Sequence, residues 1–154
     1  MPVLRLETRI SASLESCFDL ARDVDAHMRT TARSRERAVA GVTTGLMGAG
    51  DTVTWEAVHL GIRQRLTVRI TRYERPRLFV DEMVEGAFRR LTHTHEFRAI
   101  DEGTLMVDTF DYSSPLGVLG RLADVLFLKR YLLRFLSERA RALKDEAERV
   151  ASRS

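Results

Sequence analysis

Two of the chain's four histidines, His93 and His95, stand two residues apart in the stretch LTHTHEF at residues 91–97. Imidazole titrates near neutral pH, so such a pair can act as a general base, bind a metal ion or hydrogen-bond a ligand. Side chains on a strand alternate between its two faces, which puts both histidines on one face with Leu91 and Phe97. The residues between them are polar and suit the solvent-facing side. Both imidazoles are therefore expected to point inward.

Two aspartates are expected to meet these histidines. The same alternation places Asp81 and Asp108 on the inward faces of the predicted strands just before and just after the histidine strand. A buried lone carboxylate is costly, so each aspartate needs a hydrogen-bond donor, and His93 and His95 are the nearest candidates. His27 falls in a predicted helix or loop and is expected to be exposed. The pattern predicts one polar cluster inside the sheet.

Three kinds of chemistry are compatible with this cluster. The interpretation that we favour is a self-satisfied polar ladder that orients a ligand and needs no reaction. A second is catalytic, because a carboxylate fixes the tautomer of an imidazole and raises its basicity; the candidates are His93, His95, Asp81 and Asp108. A third is a zinc or iron site formed by the two histidines with an aspartate or His59. Histidines spaced by two are common in strands and no cysteine contributes, so we expect neither a metal nor another cofactor.

Composition predicts one globular domain. With 154 residues, 44% of them hydrophobic and 31% charged, the chain can bury a substantial core. We assign residues 1–150 to a single ligand-binding domain and residues 151–154 to a short tail. Cys17 is the only cysteine, so no intrachain disulfide can form, and it is expected to be a small core residue. The N-terminus has no apolar run suited to a signal peptide, which indicates a cytoplasmic protein.

The basic charge balance does not indicate a nucleic-acid partner. The net charge is +3 and the pI is near 9.5, but the arginines are scattered from Arg5 to Arg153 and no exposed aromatic residues are expected between them. Charges interrupt the apolar C-terminal segment too often for a transmembrane span, although contact with a membrane surface remains an alternative. The sequence leaves both a monomer and a homodimer open.

Alternation and turn residues predict the elements that position the cluster. Residues 4–10 predict a half-buried strand, and residues 11–23 predict a helix capped by Ser11 or Ser13. A second short helix is expected over 23–32, followed by a strand and a glycine-rich turn. Five alternating segments joined by short turns then predict an antiparallel meander: 51–60, 62–73, 77–85, 88–100 and 104–112.

The segment 117–150 contains no proline and predicts one long C-terminal helix. Its apolar residues recur every three or four positions and form a stripe: 119, 122, 126, 133, 136, 140, 143, 147 and 150. A second stripe over 125–135 widens the apolar face in the first half only. The pattern therefore predicts that the first half is buried on more sides than the second, with Leu126 and Leu133 in the core.

This order of elements allows few compact solutions. A long antiparallel sheet twists and curls, and a helix can lay its stripe in the concave side. Three stretches, 5–27, 50–97 and 103–124, resemble the START-like helix-grip superfamily (SRPBCC), in its bacterial polyketide cyclase/dehydrase-like branch. The more specific features are Pro76, the segment FVDEMVEG, the His-x-His-x-Phe strand and the Ser-Pro-Leu-Gly turn. The resemblance implies an α+β helix-grip fold, with roughly six or seven antiparallel strands wrapped on a long C-terminal helix and one or two short helices after the first strand.

Members of this superfamily bind or process hydrophobic small molecules, so the resemblance implies a cavity between sheet and helix. We predict an aromatic polyketide-, isoprenoid- or lipid-like ligand. The residues expected to contact it are Trp55, His59, Phe79, Asp81, Met83, Leu91, His93, His95, Phe97, Asp108, Phe110 and Tyr112. The alternative is a cyclase or dehydratase in which His93 or His95 removes a proton from carbon next to a carbonyl group. A third interpretation is lipid handling at a membrane surface.

Overall fold

The computed structural model describes residues 2–31, 34–115 and 117–153. Within these residues, one antiparallel sheet contains the strands β1 (Val3–Ile10), β2 (Arg37–Gly41), β3 (Thr52–His59), β4 (Ile62–Glu74), β5 (Leu78–Glu85), β6 (Arg90–Ile100) and β7 (Gly103–Ser113). Their spatial order is β1-β7-β6-β5-β4-β3-β2, so β2 to β7 form a meander and β1 pairs with β7. The predicted antiparallel meander is confirmed.

Helices follow the first and the last strand. They are α1 (Leu14–Ala21), α2 (Val24–Thr30), α3 (Gly117–Ala123), a π-helical turn (Asp124–Leu128) and α4 (Lys129–Ala151). The side chains of Ser13 and Asp23 cap α1 and α2 by accepting hydrogen bonds from backbone N–H groups. The curved sheet, the two short helices and the long C-terminal helix confirm the predicted α+β helix-grip fold. Ala32 and Leu116 of the predicted elements lie outside the described residues.

The core lies between the sheet and helices α1 and α4. Phe18 of α1 is fully buried and makes edge-to-face contacts with Phe79 and Phe97, at centroid distances of 5.3 and 5.4 Å. Cys17 is buried beside Phe18, as expected. A second cluster packs α4 on the sheet and contains Leu4, Leu91, Phe110, Tyr112, Leu132 and Leu136. Both clusters use alternate strand residues, so the inward face assigned from the sequence is confirmed.

The C-terminal helix buries a different stripe from the predicted one over its first half. Leu126 and Leu133 are 60% and 40% exposed, and positions 119, 122 and 150 are exposed as well. The buried positions are 120, 124, 132, 136, 139, 140, 143 and 147. The prediction that the first half is buried on more sides is therefore wrong. From Leu136 to Ala147 the predicted stripe is confirmed.

The π-helical turn explains the changed stripe. Positions spaced by four, such as 120, 124, 128 and 132, drift around a regular helix because one turn takes 3.6 residues. The wider turn at Asp124–Leu128 compensates for this drift, so the row keeps facing the sheet. Asp124 is buried in the row and accepts a hydrogen bond from the hydroxyl of Tyr112, which ties the turn to β7.

The outer face of the sheet carries charged residues that face solvent. Arg65 and Arg37 both pair with Glu56, at N–O distances of 3.0 and 3.3 Å, and such exposed pairs contribute little to stability. Among the described residues, no helix has the length and apolar content needed to cross a membrane.

Helix α4 ends at Ala151, one residue into the predicted tail, and Ser154 lies outside the described residues.

Candidate functional site

A cavity of about 190 Å³ lies between the sheet and the C-terminal helix. Strands β3 to β7 line it with alternate residues, and α2 and the first turns of α4 close it. Its apolar lining includes Val24, Val53, Trp55, Leu66, Val68, Ile70, Phe79, Leu91, Phe110, Leu132, Phe135 and Leu136. Its polar lining includes His27, Glu36, His59, Asp81, His93, His95, Tyr131 and Arg139. The cavity is thus apolar over most of its wall, with ionisable groups at defined places.

Eight of the twelve residues predicted to contact a ligand line this cavity: Trp55, His59, Phe79, Asp81, Leu91, His93, His95 and Phe110. The other four lie elsewhere on or behind the inward face. Phe97 is covered by α1, Tyr112 is held by the π turn, and Asp108 is buried beyond the histidines. Met83 is half-buried against the second core cluster. Alternation identifies the inward face, but it does not show which parts of that face the helices cover.

His95 lies between two carboxylates. Its Nε2 is 2.9 Å from Oδ2 of Asp81, and its Nδ1 is 3.3 Å from Oδ1 of Asp108, an ion-pair distance without the alignment of a good hydrogen bond. The ring stacks on Phe79 and on His93, at centroid distances of 4.1 and 3.8 Å. Burial disfavours the imidazolium, but the two carboxylates outweigh burial and raise the pKa of His95. The position between two carboxylates therefore favours the protonated form of His95, whose charge offsets part of the charge of Asp81 and Asp108.

His93 is the neutral member of the cluster. Its Nε2 lies 3.0 Å from Oδ1 of Asp108 and donates to that carboxylate. Burial, reinforced by the charge of His95, lowers the pKa of His93. Burial opposes ionisation of Asp108, but its close contacts with the His93 and His95 rings prevail and hold its pKa far below the ordinary value. Nδ1 of His93 then carries a lone pair and has no hydrogen-bond partner within the described part of the chain, so it can accept a hydrogen bond or a proton from a bound molecule.

Arg139 of α4 is a candidate that was not predicted. It lines the cavity although it is only 6% exposed, and its Nη2 donates to the carbonyl oxygen of Ala21 at 3.4 Å. Its Nε is buried and has no hydrogen-bond partner among the described residues. A guanidinium with an unpartnered N–H group is suited to an acceptor oxygen of a ligand. The signal was its position, three residues after Leu136 and four before Leu143, on the apolar stripe itself.

His27 and Glu36 form a second polar pair at the cavity. Nε2 of His27 donates to the carboxylate of Glu36 at 3.0 Å, and the imidazole stacks on Trp55 at a centroid distance of 4.0 Å. Burial lowers the pKa of His27. The prediction that His27 is exposed is wrong, because α2 turns this side toward the sheet. Glu36 was not predicted, since the strand that follows it begins only at Arg37.

His59 and Tyr131 join the sheet to the helix at one end of the cavity. The Tyr131 hydroxyl lies 2.6 Å from Nδ1 of His59. Burial lowers the pKa of His59 and raises the pKa of Tyr131, so it favours the neutral form of both groups in this hydrogen bond. The adjacent lining residue Leu60 is 55% exposed. The cavity therefore reaches solvent beside this contact.

Residues 1–148 match a known protein family, described as polyketide cyclase / dehydrase and lipid transport. The chain belongs to this family. The matched range contains every residue that lines the cavity. No curated protein matches the sequence.

Solved structures share the fold of this cyclase and lipid-transport family member at low sequence identity. A protein from Thermus thermophilus has a TM-score of 0.81 and 22% identity, over 97% of this chain and 99% of that chain. A START superfamily protein from Mycobacterium smegmatis has a TM-score of 0.74 and 14% identity, over 96% and 98%. A major latex-like protein from Panax ginseng has a TM-score of 0.71 and 14% identity, over 95% and 97%. These likenesses confirm the helix-grip fold.

Three residues of this family member could approach a metal ion together. One donor atom from each of Asp81, His93 and His95 lies within 4.8 Å of the others. A metal would require unprotonated His95, whereas its carboxylate neighbours favour the imidazolium. We therefore expect chelator to leave the melting temperature unchanged and elemental analysis to find no stoichiometric zinc or iron. One ion per chain that disappears in His93→Ala would contradict this expectation.

The histidine pKa shifts have opposite signs and can be measured by an NMR pH titration. We expect His95 to stay protonated above the ordinary value of 6.5, and His27, His59 and His93 to stay neutral below it. Because the folded pKa of His95 is raised, its contribution to stability is complete below pH 6.5 and is lost as the pH rises through the folded pKa. The three lowered pKa values instead reduce stability as the pH falls from 6.5 toward them. A His95 ring that titrates below pH 6.5 would contradict its place between two carboxylates.

Proposed function

We propose that the chain binds a small hydrophobic molecule, of aromatic polyketide-like, isoprenoid-like or lipid-like chemistry, in the cavity between the sheet and the C-terminal helix. The observation that carries this proposal is a mostly apolar cavity in which His93 keeps an acceptor nitrogen and Arg139, which also lines the wall, keeps an unpartnered Nε–H donor. The apolar part of the ligand would lie against Trp55, Leu91 and Phe110. Family membership supports the same class of ligand.

Size and polarity narrow the ligand class within this proposal. A cavity of about 150 Å³ holds benzene, and pockets for drug-sized ligands measure about 300 to 1,000 Å³. At about 190 Å³, this cavity favours a single ring or a short chain. A larger molecule would require the Tyr131–His59 contact to separate. A ligand with both a hydroxyl and a carbonyl group would match the site, because the hydroxyl would donate to His93 and the carbonyl would accept from Arg139.

The test is extraction of small molecules from purified protein, identification by mass spectrometry, and titration of the extracted ligand into His93→Gln. Because an amide still forms a hydrogen bond, we expect this variant to weaken binding by about 1 to 2 kcal/mol. Glu96→Gln is the matched control, since Glu96 lies on the same strand but on the outer face. Equal affinity of wild type and His93→Gln would contradict the proposed polar end.

A second candidate function is enzymatic, and the His93–Asp108 pair favours it. Asp108 fixes the tautomer of a neutral imidazole whose lone pair is unused. In a cyclase or dehydratase, Nδ1 of His93 would take a proton from carbon next to a carbonyl group and leave an enolate. The positive charges of His95 and Arg139 would then stabilise the enolate oxygen. Asp108 would hold the His93 imidazolium in place until His93 returns the proton to the product.

Turnover distinguishes this candidate from binding alone. Incubation of the wild type with molecules that carry alternating carbonyl groups should give no new product if the protein only binds. If a product forms and His93→Gln lowers its rate roughly 100-fold at unchanged affinity, His93 is a general base and the enzymatic function replaces the binding function. We expect binding without turnover.

A further inference from the structure

The first turns of the C-terminal helix expose an unusual amount of apolar surface. More than half of each of these side chains is accessible to solvent: Val118, Leu119, Leu122, Val125, Leu126 and Phe127. Within residues 117–127, only Gly120 and Asp124 are buried. Soluble proteins seldom leave an apolar patch of this kind uncovered unless it binds something. We call residues 117–130 the exposed helix segment.

The charges of the exposed helix segment have one sign. Arg121, Lys129 and Arg130 are exposed, whereas the one acidic residue in the segment, Asp124, is buried against Tyr112. A helix that combines exposed apolar and basic side chains complements an anionic lipid surface, where the apolar groups enter the acyl layer and the basic groups meet phosphates. A second copy of the chain would instead bring like charges together.

The same part of the surface surrounds the opening of the cavity. Leu128 and Tyr131, which continue the segment, line the cavity. Across the opening, the turn between β3 and β4 exposes Leu60 and Ile62, and Leu60 also lines the cavity. A surface that covered the exposed helix segment would therefore lie next to the opening.

We propose that the exposed helix segment docks the protein on an anionic lipid surface with the opening of the cavity beside the bilayer. Docking is independent of which molecule the cavity holds. Docking explains why apolar residues of the exposed helix segment point to solvent although the sequence pattern predicts that they pack on the sheet. It also explains why basic residues lie among them.

The test is sedimentation of the full chain with phosphatidylcholine vesicles that contain or lack phosphatidylglycerol. We expect binding to the anionic vesicles, weak binding to the neutral ones, and release by salt. The double variant Leu122→Ser with Leu126→Ser should lose binding roughly tenfold or more. Its matched control is Val84→Ser with Val150→Ser, because these residues are exposed and apolar but lie outside the segment.

The charge contribution is tested separately by Lys129→Glu with Arg130→Glu. We expect a loss of roughly tenfold or more on anionic vesicles, with Arg149→Glu and Arg153→Glu as the control pair at the far end of the helix. All replaced residues are exposed, so circular dichroism should show an unchanged fold. Absence of vesicle binding, equal binding to both vesicle types, or self-association that the serine variants abolish would overturn the proposal. Titration of the extracted ligand into the same variants keeps this result separate from the function of the cavity.

Discussion

Asp108→Asn should cost about 3 to 5 kcal/mol of unfolding free energy at pH 7, because it removes one partner of a buried charge cluster. Asp108 lies 3.0 Å from His93 and 3.3 Å from His95, and it approaches both rings from behind the cavity. An amide has the same shape but no charge, so one of the two ring N–H groups loses its acceptor. Chemical denaturation of both proteins measures the difference.

The pH dependence of this difference identifies its cause. The folded pKa of Asp108 is far below the ordinary value of 3.8, so its stabilisation is present above that value and is lost as the pH falls through the folded pKa. The difference between wild type and Asp108→Asn should therefore stay constant above about pH 4 and shrink progressively as the pH falls below it. Asp111→Asn is the control, because Asp111 lies on the same strand in a partly exposed pair with Arg90 and should cost less than about 1 kcal/mol. A loss below about 1 kcal/mol for Asp108→Asn would contradict the buried charge cluster.

Leu143→Ala should destabilise the fold by about 3 kcal/mol, within the range for a fully buried leucine. Leu143 is 1% exposed and packs in the main core cluster on α4. The loss has two parts, the transfer free energy of the deleted methyl groups and the cavity that remains. Thermal and chemical denaturation should agree on its size.

Leu126→Ala is the matched control on the same helix. Leu126 is 60% exposed, so its replacement should change stability by less than about 0.5 kcal/mol. The apolar pattern alone predicts a large loss at this position, whereas the structure predicts almost none. A loss above about 2 kcal/mol for Leu126→Ala would show that the first half of the helix packs against the protein.

The strands and their inward residues could be predicted from the sequence because alternation is a local property. Asp81 and His93 both lie at odd-numbered sequence positions in their strands, so alternation predicts that both face inward, and they are register partners in the sheet. The register then brings Asp81 opposite His93 and His95 opposite Asp108. Buried carboxylates require hydrogen-bond donors, and this requirement together with alternation predicts the four-residue cluster.

Alternation could not predict which parts of the inward face of the sheet the helices cover, because this depends on contacts between elements that are distant in the sequence. The predicted helical stripe differs from the buried one where the π-helical turn at Asp124–Leu128 shifts the helical phase, and periodicity in the sequence does not reveal such a turn. His27 faces the cavity only because α2 lies against the sheet. Arg139 was visible on the stripe as a charged residue among apolar ones, but its role depends on the unfilled space beside it.

The most direct measurement is a fluorescence titration of Trp55 with the extracted ligand. Trp55 is the only tryptophan, it is buried, it lines the cavity, and it stacks on His27. A ligand in the cavity must therefore change its environment. We expect a change in emission that saturates at one ligand per chain. The affinity obtained from this titration should be lower for His93→Gln than for the wild type. Ligand that binds by equilibrium dialysis and leaves Trp55 emission unchanged would show that binding occurs outside this cavity.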